Sequence, residues 1–420
     1  MKNTRPNFQR LLVVVNVYLP DFGGGGAIFS DLCQGLVERG FDVTVRCAYP
    51  YYPEWRDKTG RNGLRVERYD ERGVHVERYG LFIPHNPRSL VQRLLYEGSF
   101  FFSLLRSLPR GRRFDAVMVF CPLVGAVAFG AVSKWVFRRP LWLNVQDLSA
   151  QAAAASGISR RKWVNRALTG LQGFLFNQGD VWSSIAPEIV GRLKRIRKRN
   201  QPVLYLPNWL TPSMAQALDG VAGRQKPFSR KEVKLFYSGN IGGKQDLIRL
   251  CETLRASAAP FSMRIHGDGA MAESVRAWVE SSNDGRFVFG PLLDEPEYAQ
   301  ALHDADFFVI TEKSGGGGSF VPSKLITAIA AGTPVLAVAD ADSPLASEVK
   351  ASEAGPVFLW DALDGIPAFL HGVVGEPAQL LGWRNNARHR ATFYHRDRII
   401  DAYAQALQAL VAGKPVPLPR

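Results

Sequence analysis

Short apolar runs alternate with longer amphipathic segments along nearly the whole chain, the rhythm of βα units that feed parallel sheets. In the first half, Leu11 to Val17, Val43 to Ala48, Val74 to Arg78, Ala116 to Phe120, Leu141 to Val145 and Val203 to Leu206 predict strands. Helical patterns such as Ala27 to Arg39 and Leu123 to Phe137 lie between them. The rhythm breaks from Pro207 through Pro212 to Pro227, where prolines, glycines and the string Gly223-Arg224-Gln225-Lys226 predict a linker. It restarts with strands at Val233 to Tyr237, Ser262 to His266, Phe287 to Phe289, Phe307 to Ile310 and Val335 to Ala339. The expected fold is α/β, with two Rossmann-like, doubly wound domains facing across a cleft. The boundaries that follow are an N-terminal domain over 1–212, a linker over 213–232, a C-terminal domain over 233–395 and a last segment over 396–420.

At 420 residues the chain exceeds the roughly 250–300 over which one hydrophobic core keeps growing, consistent with two domains. A hydrophobic share of 46% with 21% charged residues excludes a disordered or fibrous chain. Lys and Arg number 52 against 38 Asp and Glu, a formal charge of +14, so the partner is expected to be anionic. Cys33, Cys47, Cys121 and Cys251 sit in apolar segments without metal-ligand spacing and predict reduced, buried thiols in a cytosolic protein. The run Leu11 to Val15 is short for a signal peptide, and no stretch reaches the roughly 18 apolar residues of a membrane span. A soluble or peripheral protein is expected.

In doubly wound sheets ligands sit beyond the carboxyl ends of the strands, which directs attention to the loops there. Gly23-Gly24-Gly25-Gly26 follows the first strand and precedes a helix, a place where bare backbone can approach a phosphate or a sugar. A dinucleotide fingerprint fails, because its third glycine falls on Ile28 and the second strand ends at Cys47 and Ala48 without an acidic residue. Ser238-Gly239-Asn240-Ile241-Gly242-Gly243-Lys244-Gln245 nearly spells a Walker loop. Ser238 replaces its first glycine, however, and Gln245 replaces the Ser or Thr that holds magnesium. What remains is a glycine turn with a lysine, suited to a diphosphate. A third loop reads Ser314-Gly315-Gly316-Gly317-Gly318-Ser319-Phe320-Val321-Pro322-Ser323-Lys324, then a short helix, Gly332-Thr333-Pro334 and an apolar strand.

That third string resembles the donor-sugar motif of retaining GT-B glycosyltransferases of the family-four class. Gly23 to Gly26 resembles the family's N-terminal glycine loop, Pro207-Asn208-Trp209 its Pro-Asn-Gly segment, and Gly267-Asp268-Gly269 its Gly-Asp-Gly. Ser238 to Gln245 resembles the diphosphate loop of the bacterial subgroup that builds O-antigen, capsule and exopolysaccharide units on a lipid carrier, including transferases of N-acetylated aminosugars. The last helix, Ile399 to Leu410, resembles the family's segment that crosses back to the first domain.

The resemblance implies a nucleotide-sugar donor, UDP being the expected nucleotide, and transfer of an N-acetylated hexosamine or deoxyhexosamine to a lipid-linked saccharide on a polyprenyl diphosphate. It implies donor contacts at Gly23, Gly24, Gly25, Gly26, Gly239, Asn240, Gly242, Gly243, Ser319, Val321, Pro322, Ser323, Lys324 and Thr327, and catalytic roles for Lys244 and Asp147. Glu312 and Asn208 are further candidates. Ser319 and Thr327 stand where many relatives carry two glutamates, Asn240 where an arginine is frequent, and Gln146-Asp147 where a His-Asp pair is frequent. His266 and His303 are expected to be structural. No cofactor and no metal are expected, since no cluster has ligand spacing. The basic run Arg192 to Arg199 and the apolar-basic stretch Leu90 to Leu108 fit a protein resting on an anionic membrane, at the cytoplasmic face, with nucleic acid excluded for want of any recognition motif. A nucleotide-sugar 2-epimerase, a non-catalytic nucleotide-sugar binder and, least in keeping with Gln245, a P-loop NTPase remain as alternatives.

Overall fold

A computed structural model describes residues 9–21, 25–87, 89–108, 113–121, 123–147, 162–222, 231–315 and 323–418. The chain forms two compact units, residues 1–207 with 396–420, and residues 208–395.

The strands of the first unit are β1 (Gln9–Val14), β2 (Phe41–Ala48), β3 (Glu67–Glu71), β4 (Val74–Tyr79), β5 (Ala116–Cys121), β6 (Leu141–Val145), β7 (Val181–Ser184) and β8 (Val203–Tyr205). They lie in the order β3-β4-β2-β1-β5-β6-β7-β8. Pairing is parallel, with Leu11 opposite both Val43 and Ala116, except between β3 and β4. Strands buried on both faces need apolar residues at every position, which is why β5, and β1 from Leu11 onward, read as unbroken apolar runs. The β3–β4 hairpin turns on Arg72 and Gly73, both at positive φ (50° and 80°), the geometry that matches the twist of a two-residue hairpin. Two strands here were not expected from the sequence. β3 reads Glu-Arg-Tyr-Asp-Glu because it is a half-exposed edge. β7 carries two buried serines whose hydroxyls are satisfied, Ser183 accepting from Trp142 Nε1 at 2.8 Å and Ser184 donating to the Val145 carbonyl at 2.6 Å.

The helices of this part are α1 (Gly26–Glu38), α2 (Leu90–Leu105), α3 (Val124–Phe137), α4 (Lys162–Phe176) and α5 (Pro187–Ile196). Phe120 of β5 packs on Phe29 of α1, ring centroids 4.3 Å apart, whereas its neighbour Val119 lies under Gly130 of α3. Successive strand residues point to opposite faces, so α1 and α3 cover opposite sides of the sheet.

In the second unit, β9 (Val233–Asn240), β10 (Phe261–Asp268), β11 (Phe287–Gly290), β12 (Phe307–Thr311), β13 (Val335–Val338) and β14 (Val357–Phe358) form a parallel sheet in the order β11-β10-β9-β12-β13-β14. The chain reverses its winding direction between β9 and β12, so the carboxyl ends of these two strands flank the topological switch point. Around the sheet lie α6 (Pro212–Ala222), α7 (Leu247–Arg255), α8 (Ala272–Ser282), α9 (Glu295–Asp304), α10 (Ser323–Ala330), α11 (Pro344–Ser352), α12 (Gly365–Gly375) and α13 (Pro377–Ala391). The stretch 213–232 was expected as a linker, yet its described first part is helix α6. Met214, Leu218 and Val221, spaced at helical intervals, are buried in this unit's core. Pro212 is not a breaker here: it stands at the first helical position, where its missing N–H costs nothing.

The last helix, α14 (Arg396–Val411), belongs to the first unit. Arg396 grips Asp31 of α1 through Nε and Nη2 at 2.9–3.0 Å, and Arg39 of α1 reaches Asp397 and Asp401. Tyr403 stacks on Trp142 at 5.6 Å and accepts a hydrogen bond from Asn144 Nδ2 at 2.5 Å.

Candidate active site

At the switch point of the second unit the loop after β9 is shaped by glycines, two of them, Gly239 and Gly269, in backbone conformations that side chains rarely adopt. Gly239 has φ +120°, and a Cβ there would lie 4.0 Å from Lys324 Cδ, in ordinary contact with that lysine. Gly269, after β10, has φ +136°; its Cβ would fall 2.5 Å from Asn240 Oδ1 and 2.7 Å from the Ile241 carbonyl. This close approach lets Ile241 N–H donate to the Asp268 carbonyl at 2.8 Å while Met271 N–H donates back to Ile241 at 2.9 Å. The turn is closed further by Gly242 N–H donating to Gln245 Oε1 at 2.9 Å. Gln245, which breaks the Walker pattern, therefore has a local task, and the amides of Ile241 and Gly242 are already engaged. A Cβ on Gly243 would meet nothing within 4 Å among the described residues. Lys244 is exposed, and its carbonyl accepts from Lys313 N–H at 2.7 Å, which joins the β9 loop to the end of β12.

The inner wall of the site comes from β9, β12 and α10. Lys324 runs in from the first turn of α10 and places its ammonium 4.1 Å from the centroid of the Tyr237 ring. Glu312 follows β12 directly. Its N–H donates to the Val338 carbonyl at 2.9 Å and its own carbonyl accepts from Trp360 Nε1 at 2.6 Å, so its backbone is fixed. Glu312 is only 5% exposed, and among the described residues neither of its carboxyl oxygens, nor Lys324 Nζ, nor the hydroxyl of Thr311 has a hydrogen-bond partner of good geometry. Burial pushes the Glu312 carboxyl up to about 8, against the opposing influence of Ser343 and Lys324. Burial likewise pushes the Lys324 ammonium down to about 8, with Glu312 partly restoring it. A buried cation without a hydrogen-bond partner is costly unless an anion completes it.

Of the residues expected to bind donor, Gly239, Asn240, Gly242, Gly243, Lys324 and the candidate Glu312 thus meet at one end of one sheet, with Lys244 on the rim. Ser323 is exposed at the start of α10, and Thr327 lies one turn on, half-buried. Asn208 stands half-buried ahead of α6. Gly23, Gly24, Ser319, Val321 and Pro322 lie outside the described residues.

In the first unit, Gly25 caps α1 at φ +91°, and a Cβ on Gly26 would fall 1.9 Å from the Asp21 carbonyl, so both are needed for the turn itself. Asp147 is half-buried just beyond β6. His266 Nδ1–H donates to the Pro291 carbonyl at 2.9 Å, and His303 lies beside Asp304, contacts in keeping with structural groups. Tyr237 and Asp340 were missed. Asp340 accepts from Ser314 Oγ at 2.8 Å and from Gly315 N–H at 2.7 Å and so holds the start of the third glycine loop. Its position beyond β13 was the signal that could have found it.

The glycosyl transferase 4-like domain family matches residues 23–209. The chain is 26% identical over 350 residues, 80% of its length and 85% of the relative's, to WcaI of Escherichia coli (strain K12), named for colanic acid biosynthesis glycosyl transfer. Among solved structures it is similar to sucrose-phosphate synthase of Thermosynechococcus elongatus, with a TM-score of 0.73 at 16% identity over 97% of this chain and 100% of that one. It is also similar to Anabaena HepE in complex with UDP, with a TM-score of 0.65 at 13% identity over 96% and 100% of the two chains. With the two parallel sheets and the order of their loops, these likenesses show a GT-B fold whose residues 23–209 match the glycosyl transferase 4-like domain.

Proposed function

We propose that this enzyme moves an N-acetylated hexosamine or deoxyhexosamine from a UDP-sugar to a lipid-linked saccharide during synthesis of a bacterial surface polysaccharide, at the cytoplasmic face of an anionic membrane. The colanic acid role named for WcaI supports the pathway, and the UDP bound to HepE supports the nucleotide. One observation carries the donor site: the buried ammonium of Lys324 at the switch point of the second unit, without a hydrogen-bond partner among the described residues.

As the sugar–phosphate bond breaks, negative charge builds on the departing diphosphate. A cation fixed in dry surroundings stabilises that charge without having to reorganise. Glu312, protonated near neutral pH, leaves the field of Lys324 largely uncancelled and can give its proton as a hydrogen bond to a hydroxyl or phosphate oxygen. Lys244 adds a second, solvated cation. The first unit takes the acceptor, with Asp147 on that side. Attack on the face that the leaving group vacates, its proton passing to the leaving phosphate, retains the configuration and needs no carboxylate nucleophile.

The test is a panel of UDP-, GDP- and TDP-sugars incubated with the protein and a membrane extract, with glycolipids followed by mass. A UDP-sugar-dependent mass gain on a lipid fraction is expected. Conversion of a UDP-sugar without any lipid, or no product from any donor, overturns the reading.

A further inference from the structure

We propose that the layer α2, α3 and α4 of the first unit is a docking surface for an anionic lipid bilayer. The idea deepens the lipid-linked acceptor reading and rests on it for its purpose, but its observations come from the first unit alone.

Helix α2 is apolar on two sides. Tyr96, Phe100 and Leu104 face the core, while Val91, Leu94, Leu95 and Phe102 form a second stripe at helical spacing that points to solvent, Phe102 with 68% of its surface free. Helix α3 packs next to it: Gly125 N–H donates to Glu97 Oε2 at 2.9 Å, and a Cβ on Gly125 would collide with the Glu97 carbonyl. At its far end, about 15 Å on at 1.5 Å per residue, α3 exposes Trp135 (54%) and Val136. The Trp135 ring lies 6.3 Å from that of Phe174 on α4, itself 50% exposed one turn from the exposed Leu171. Two apolar patches thus share one layer of helices. Exposed apolar area on this scale marks a surface that meets something.

Charge says what it meets. The three helices hold a single acidic residue, Glu97, and that one is turned inward against Gly125. Arg106, Arg138 and Arg166 are exposed around the apolar patches. The run Lys194 to Arg199 is fastened to the end of α4, because Lys198 N–H donates to Asn177 Oδ1 at 2.7 Å and Arg199 Nη2 donates to the Asn177 and Gly179 carbonyls at 2.7 and 2.9 Å. Trp135 Nε1 reaches Gln178 Oε1 in the same place, at 3.1 Å, so aromatic anchors and the basic run adjoin. Apolar side chains that can sink about 5–10 Å into the headgroup region, rimmed by Lys and Arg, are what binds an anionic interface. A second copy of this chain would set two positive rims against each other, and like charges facing across an interface disfavour it. Among the described residues no helix is long and apolar enough to cross a membrane, so the contact is one of lying on the surface.

The experiment is co-sedimentation of the full chain with phosphatidylcholine vesicles, with and without phosphatidylglycerol. Wild type is expected to bind the anionic vesicles about 10-fold better than the neutral ones, less so as salt rises. Leu94→Glu with Phe102→Glu, and separately Phe174→Glu, are expected to lower partitioning about 10-fold, whereas Lys194→Glu with Arg195→Glu and Lys198→Glu removes only the preference for anionic lipid. A milder Phe102→Ser, with an unchanged thermal melt, guards against misfolding. UDP affinity, measured on the same samples, is expected to stay constant, so failure of the donor site and failure of docking are read separately. Equal sedimentation of wild type and apolar variants, or a wild-type dimer in light scattering that those variants dissolve, overturns the proposal.

Discussion

The ring of Tyr237 lies 4.1 Å beneath the Lys324 ammonium, while its hydroxyl, at the other end of the same side chain, donates to the Asn240 carbonyl at 2.8 Å. One tyrosine therefore seats the buried cation and fixes the loop after β9. A ring face contributes about 0.5–2 kcal/mol to a nearby cation, more when water is excluded. It offsets part of the desolvation that Lys324 suffers and holds the ammonium over the ring face.

Lys324→Met retains the packing of the stem and removes the charge. UDP affinity by calorimetry is expected to fall about 10-fold or more, roughly 1.4 kcal/mol. Lys244→Ala is expected to weaken transfer by about 10-fold as well. Unchanged titrations and unchanged kinetics would take the respective lysine out of the donor site.

The pH dependence has a definite sign. Lys324 is held down to about 8 and Glu312 pushed up to about 8, so as pH rises through that value the first loses a positive charge while the second gains a negative one. Both changes disfavour a diphosphate. UDP is expected to bind about 10-fold or more weakly at pH 9 than at pH 7, whereas affinity that is flat or rises over this range contradicts the assignment.

Gly269→Ala and Gly243→Ala form a contrasting pair. The first forces a Cβ to within 2.5 Å of Asn240 in a left-handed backbone and is expected to cost about 2–4 kcal/mol of stability; the second meets nothing within 4 Å. Chemical denaturation of both variants checks this, and equal midpoints would show that the turn is not as tightly built as described.

Arg396→Ala breaks a two-pronged ion pair with Asp31, which is 6% exposed, although the arginine itself keeps about a fifth of its surface in water. The expected loss is about 2 kcal/mol, lower than for a fully buried pair because of that exposure. A thermal melt should show it as a drop of roughly 4–8 °C in the transition of the first unit.

The parallel strands were legible because burial on both faces leaves no room for polar positions, and the glycine loops because only backbone without Cβ fits them. β3 and β7 were hidden for the converse reason: one is an edge open to water, and the other hides serines whose hydroxyls find partners in neighbouring strands. α6 was masked by Pro212, whose meaning depends on whether a helix ends or begins there. Within the site, Lys324 and Glu312 could be named from position in a motif. Tyr237 could not, since inside an apolar strand a tyrosine that carries a cation looks the same as one that fills a core.

The return of α14 to α1 means that the first unit is assembled from both ends of the polypeptide, with the second inserted as an uninterrupted block. During synthesis, residues 208–395 emerge from the ribosome before Arg396 does to meet Asp31, so the inserted block can complete itself while its host still waits for a closing clasp. A gene encoding 208–395 alone is accordingly expected to yield a self-standing domain, and one encoding 1–207 alone a sheet with Trp142 and Asn144 left uncovered.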